Sequence, residues 1–243
     1  MGSGSQHTNH MKYTDSGISL RTAALITGLT LFVPTAPFAE FYVFKKLIVY
    51  NNAAQTTQNL LAHSRLFMLG IMAIFFTYLK DVLLAWTLYI FLRPVNPLLS
   101  LLAGWFRIVY TMLAMVALLN FLYAYLLVNS PALPVSGISE QVGQWVNARR
   151  WAMYLAYIIF GIYLVMIGTL MYKAPYIPKL LGILMIAAGI SWMIISLRPF
   201  FFKSADLSWM MIFSVGELFF PIWLLVKGRW IKEGENISIH ALR

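Results

Sequence analysis

Runs of apolar residues long enough to cross a bilayer alternate with short polar breaks along almost the whole chain. Taken in order, the pattern predicts six transmembrane helices, at about Leu20 to Tyr42, Leu66 to Phe91, Leu98 to Val128, Trp151 to Tyr172, Ile177 to Leu197 and Trp209 to Val226. Each comes close to the roughly 20 residues that a helix needs to traverse the hydrocarbon layer. The breaks carry their own punctuation. Pro34 and Pro37 remove backbone donors near the end of the first span and predict a kink or break there. Arg93-Pro-Val-Asn-Pro97 closes the second span, because two prolines exclude a continuing helix. Between spans three and four, Ile138, Val142, Trp145 and Val146 recur at helical spacing opposite Glu140, Gln141, Gln144 and Asn147. That segment reads as a short helix lying in the membrane interface. Gly161, Gly168, Gly182 and Gly189 place small residues at seven-residue spacing on spans four and five and predict close backbone approach between them.

The predicted fold class is therefore all-α: a polytopic transmembrane bundle of about six spans, with a short interfacial helix between spans three and four. Three regions follow, a disordered polar tail over 1–19, a six-span domain over 20–228 and a polar C-terminal tail over 229–243. Met1-Gly-Ser-Gly-Ser5 resembles an added linker, with Met11 as the alternative start. A signal peptide is the competing reading of the first span, but Pro37 and Ala39 make a poor cleavage site, so a retained span is expected.

Composition removes whole classes of function. Hydrophobic residues make up 60% of the chain and charged ones 11%, against about 25% charged in soluble proteins, and the mean hydropathy is +0.75. Six spans leave no room for a separate soluble enzyme domain. The net charge of +10 does not point to nucleic acid. The basic residues stand singly or in pairs, as Lys45 and Lys46, Arg149 and Arg150, Lys173 and Lys179, or Arg198 and Lys203 do, and form no stripe. They read as interface anchors beside anionic lipid headgroups, which makes membrane lipids the expected partners. With no cysteine, disulfides, thiolate catalysis and cysteine metal sites are excluded.

No cofactor or metal is expected. His7 and His10 lie in the polar tail without a third ligand, and His63 and His240 stand alone. Trp86, Trp105, Trp145, Trp151, Trp209 and Trp230 mostly fall near span ends, where an interfacial belt accounts for them. An even number of spans puts both termini on one side. With the termini cytoplasmic, the inner segments hold nine Lys and Arg and the outer ones seven, so an inner-membrane protein with cytoplasmic ends is expected.

Candidate chemistry rests on ionisable residues inside the apolar runs, since intramembrane charge is costly and marks function by default. Asp81 in span two and Arg107 in span three fall ~4–5 Å and ~7–8 Å from the estimated midplane at ~1.5 Å per residue, level enough to pair. Lys80 is rotated ~100° from Asp81 around the helix and faces another way. Glu217, near the centre of span six, has no basic neighbour in its own helix, so it should meet Arg107 or Lys80 across the bundle or hold its proton. Glu40 lies near a span end, within reach of headgroup water or Lys45. Spans one, two, three and six are expected to enclose this site. The chain has no Gly-x-Ser-x-Gly, no HExxH and no His-rich set for a di-iron centre.

Several segments together resemble the DUF4386 group of bacterial integral membrane proteins. They are Phe38-Ala-Glu40, Ala53-Ala-x-Thr-x-x-Asn59, Asp81-Val82, Leu88-Tyr89 leading to Leu92-Arg-Pro-Val-Asn96, and Leu101-Leu-Ala with Phe106-Arg107. Ile177-Pro-x-Leu-Leu-Gly182, Gly216-Glu-Leu218 and Trp223-Leu-Leu-Val-Lys-Gly228 complete the series. The resemblance covers nearly all of the chain after Leu20. It implies a similar polytopic fold, and it implies that Glu40, Thr57, Asn59, Asp81, Asn96, Arg107 and Glu217 belong to the family pattern. It implies no substrate.

Three functional classes remain open: binding or movement of a small molecule, lipid or proton at the polar site, a scaffold or regulatory protein with a structural ion-pair network, and a membrane-embedded enzyme using carboxylates.

Overall fold

The computed structural model describes residues 18–130, 135–201 and 204–230. The N-terminal segment 1–17 with His7 and His10, and the C-terminal segment 231–243 with His240, lie outside the described residues. Every long element is a helix, and six are long and apolar enough to cross a membrane. They are span one (Leu20–Leu47), span two (Ser64–Leu92), span three (Pro97–Val128), span four (Val135–Lys173), span five (Lys179–Phe201) and span six (Ser208–Lys227). The protein is a multi-pass membrane protein. Each span packs on its neighbours in sequence, and span six returns to span one, so the bundle closes in chain order. Large apolar side chains such as Phe41, Leu69, Met112, Leu180 and Ile212 point outward, as lipid-facing surfaces require.

Span one is broken where the prolines predict. A regular helix runs over Leu20–Phe32, and Val33, preceding Pro34, is extended because the proline ring excludes helical geometry for the residue before it. The chain then resumes as a tight turn, a π-helix over Phe38–Phe44 and a last turn at Lys45–Leu47. The break is fastened to span two. Lys80 Nζ donates to the Val33 carbonyl at 2.9 Å, and the Thr35 and Thr77 hydroxyls are 2.7 Å apart. Nearer the end of span two, Thr27 donates to Thr87 at 2.9 Å in a fully buried contact. Lys80 thus supplies the donor that a broken helix lacks, in a layer where an unpaired carbonyl is expensive. Lys80→Met keeps the length and removes the ammonium. It is expected to cost about 1.5–3 kcal/mol, the range for a hydrogen bond to a charged group, with faster hydrogen exchange confined to the Phe32–Thr35 region.

Two expectations are refined. The helical segment around Trp145 does not stand apart, because it runs without interruption into span four, whose helix starts at Val135. The polar connection after span one contains a further helix, Ala53–Ala62, capped by Asn52, whose Oδ1 accepts from Gln55 N at 3.0 Å. That short helix packs against the first turns of span four, and the buried Ile138, Val142 and Val146 belong to the same core.

The glycines do what their spacing predicts. A Cβ on Gly161 would lie 2.5 Å from the carbonyl oxygen of Gly189, and one on Gly182 would lie 2.8 Å from that of Gly168. Spans four and five therefore touch through backbone, a separation no larger residue permits.

Candidate functional site

Asp81 and Arg107 form a salt bridge between spans two and three, with only 7% and 9% of their side chains exposed. Their residues project from regular helices, held in register by neighbouring turns: Thr111 Oγ1 donates back to the Arg107 carbonyl at 2.9 Å. The guanidinium is then enclosed by aromatic faces, 5.7 Å from the Tyr110 ring, 5.3 Å from Phe160 and 4.9 Å from Tyr163. Ring quadrupoles favour a cation there, by about 2 kcal/mol or more when water is excluded. Phe160 and Tyr163 belong to span four, so the pair is enclosed by spans two, three and four. The expected enclosure by spans one, two, three and six is corrected: the bundle closes in chain order, which puts span four beside span three.

A second ion pair lies at the π-helix. Glu40 bonds to Arg149 on span four, not to Lys45 or headgroup water as expected. Arg149 is 5% exposed and sits 4.2 Å above the Phe121 ring and 5.2 Å from Phe44. Phe44, Phe67 and Phe121 form one aromatic cluster beneath it, with centroids 4.8–5.8 Å apart. Arg149 is therefore no interface anchor but a buried member of the polar core. The wider turn of the π-helix sets Glu40 on the inward side of span one, a common setting for functional residues.

Glu217 meets neither Arg107 nor Lys80. Its Oε1 accepts a hydrogen bond of 2.6 Å from the indole of Trp192 in span five. Arg107 is within electrostatic reach of it but forms no contact. Two buried tyrosines lie within electrostatic reach of these carboxylates. Tyr78 lies within electrostatic reach of Glu40, Arg149 and Asp81, and Tyr157 within reach of Glu40, Arg149 and Glu217. Tyr78 also donates to Met153 Sδ at 3.8 Å. Ionisable and hydroxyl groups within electrostatic reach of one another thus occur on spans one, two, four and six.

The remaining candidates are placed elsewhere. Asn96 caps span three, its Oδ1 accepting from Leu99 N at 2.9 Å. Asn59 donates to the Leu47 carbonyl at 3.1 Å and so ties off span one, while Thr57 donates to the Ala53 carbonyl at 2.9 Å within the short helix. Lys80 serves the Val33 break. His63 is exposed, and among the described residues no group of three His, Cys, Asp or Glu could hold a metal.

Two side chains at this site, Arg149 and Trp192, escaped the sequence reading. Arg149 sits where polar sequence turns apolar, the position of an ordinary anchor. Trp192 did leave a signal: it falls in the middle of span five, where an interfacial belt gives no reason for tryptophan.

The description of the family whose pattern matches residues 26–228 is a domain of unknown function, DUF4386. An uncharacterised protein from Archaeoglobus fulgidus is 33% identical over 164 residues, which is 68% of this chain and 86% of that protein. No solved structure matches. The chain belongs to the DUF4386 family.

Proposed function

We propose that this polar core binds or moves a small species across the membrane, and that a proton is the species its chemistry fits best. The observation that carries the reading is Glu217: a carboxyl inside an apolar span that accepts a hydrogen bond from a neutral indole and, among the described residues, has no cation in contact. Intramembrane carboxyls of this kind mark proton relays, and Tyr78 and Tyr157, within electrostatic reach of these carboxylates, have hydroxyls that both donate and accept. Arg107 and Arg149 each keep a buried Nε without a partner. A network selected only for rigidity would be expected to satisfy such donors. Catalysis has less support, because the three carboxylates of the core sit in ion pairs or against an indole.

The placement we propose is the cell inner membrane with both termini cytoplasmic and lipids as the immediate partners. Burial of Arg149 strengthens this reading, since removing it from the outer segments leaves six basic residues there against nine inside. The test is proton uptake into sealed vesicles under an imposed potential, followed with an internal pH dye. Wild type is expected to carry protons at least tenfold faster than Glu217→Gln, at equal incorporation. Equal rates in the two proteins, or a wild-type rate no greater than that of empty vesicles, would overturn the proton reading.

The scaffold alternative draws on one observation, the aromatic enclosure of Arg107, which suits a permanent ion pair. It predicts that the double variant Asp81→Leu with Arg107→Met performs as wild type, because well-packed apolar replacements of a buried pair are often neutral or stabilising.

A further inference from the structure

Where span one breaks, a charge lies at the lipid-facing surface. Val33 follows a 13-residue helix in a span of 28 residues, so the break and the Lys80 ammonium bonded to it fall near the middle of the bilayer. An ammonium carries three donors, and the Val33 carbonyl takes one of them. The other two find no acceptor among the described residues. Lys80 has no ion-pair partner among them either, because the carboxylate of the adjacent Asp81 is bonded to Arg107 and that of Glu40 to Arg149. The nearby hydroxyls have spent their protons: Thr77 donates to the Ala73 carbonyl at 2.9 Å and accepts from Thr35 at 2.7 Å. The ammonium is the donor left for an arriving anion.

The surroundings limit what that anion can be. Lys80 is only partly buried. Phe76 and Leu83, about one turn to either side of it on span two, and Phe32 and Val33 on span one are 42–60% exposed. The free donors therefore stand among apolar side chains that face lipid. Phospholipid phosphates stay at headgroup level, about 15 Å from the middle of a hydrocarbon core ~30 Å thick, and a lysine tied to Val33 does not extend its stem to meet them. A single-chain amphiphile whose polar part is one carboxyl can bring that group to mid-membrane, with its chain laid against the exposed apolar side chains. An uncompensated cation at this depth is costly, and a carboxylate neutralises it through charge-assisted hydrogen bonds.

We propose that the break in span one is a lateral binding site for a long-chain carboxylic acid, whose head pairs with the Lys80 ammonium and whose chain lies along the lipid-facing side chains of spans one and two. The site is entered from the bilayer, and it stands whether or not the polar core moves protons.

The test uses the full chain in phosphatidylcholine vesicles and two probes, octadecanoic acid carrying a photoreactive diazirine near its carboxyl end and the methyl ester of the same molecule. Labelled peptides are identified by mass spectrometry. In wild type the acid is expected to label the segments around Val33 and Lys80 at least tenfold more than the ester does, and unlabelled oleic acid is expected to displace it. Lys80→Arg keeps a cation and is expected to retain the labelling. Lys80→Gln keeps a donor for the Val33 carbonyl but removes the charge, and is expected to lose it. Equal labelling of wild type by acid and ester, a comparison that needs no variant, would overturn the proposal. Labelling of Lys80→Gln at the wild-type level would do the same. So would displacement by dioleoyl phosphatidylglycerol as effective as by oleic acid, because it would mark an anion contact at headgroup level.

Discussion

Replacing Asp81 with alanine while Arg107 remains is expected to cost about 3–5 kcal/mol of stability, among the largest effects of any single substitution in the chain. The reason is asymmetric. Arg107 is 7% exposed, its guanidinium stays charged, and its counter-ion is Asp81. Removing the carboxylate strands a cation among the rings of Tyr110, Phe160 and Tyr163, too deep to reach water by extending its stem. Those rings recover part of this, about 2 kcal/mol or more where water is excluded, but they cannot replace the counter-charge. The double variant Asp81→Leu with Arg107→Met removes both charges and is expected to regain most of the loss, so the two substitutions are strongly non-additive. Denaturation of the detergent-solubilised protein in a double-mutant cycle reads this directly. Additive losses from the two single variants would show that the pair does not act as a unit.

The second large effect is steric. A valine at Gly182 would drive its Cβ to 2.5 Å from the Tyr172 amide nitrogen and 2.8 Å from the Gly168 carbonyl oxygen. These obstacles are backbone atoms, which cannot rotate aside as a side-chain tip does, so spans four and five must separate. Overpacking costs typically about 1–3 kcal/mol, and Gly182→Val belongs at or above the top of that range because the whole interface opens. Ile183, the next residue, is half exposed toward lipid, and Ile183→Val is expected to stay within about 0.5 kcal/mol. Thermal melting of the two variants side by side checks the contrast. Similar melting of Gly182→Val and wild type would mean that the two spans do not touch through these glycines.

Much of the architecture was legible in the sequence because a bilayer imposes length and hydrophobicity on every crossing. The break after Val33 followed from proline chemistry, and the glycine interface from spacing. The Asp81 and Arg107 pair followed from depth, since two opposite charges at one level of adjacent spans gain by meeting. What stayed hidden depended on contacts across the bundle. Glu40 and Arg149 are 109 residues apart, and nothing local distinguishes Arg149 from Arg150 beside it, although one is buried under Glu40 and the other is stacked on Tyr50. Helix phase decided between them, and phase is set by where span four begins, the boundary that the sequence left least defined. The continuity of the Trp145 segment with span four hid this register. Glu217 met an indole because span five, not span three, is its neighbour in the closed bundle.

The break in span one also bears on how the protein enters the membrane. The Val33 carbonyl and the Thr35 hydroxyl find partners in Lys80 and Thr77, both on span two. Alone in hydrocarbon, span one would carry those groups unsatisfied, and Lys80 would carry its ammonium into the same layer without an acceptor. Each segment holds what the other lacks. The first two spans are thus suited to insert as one hairpin, with the connecting helix Ala53–Ala62 as its turn, before the rest of the bundle closes around them.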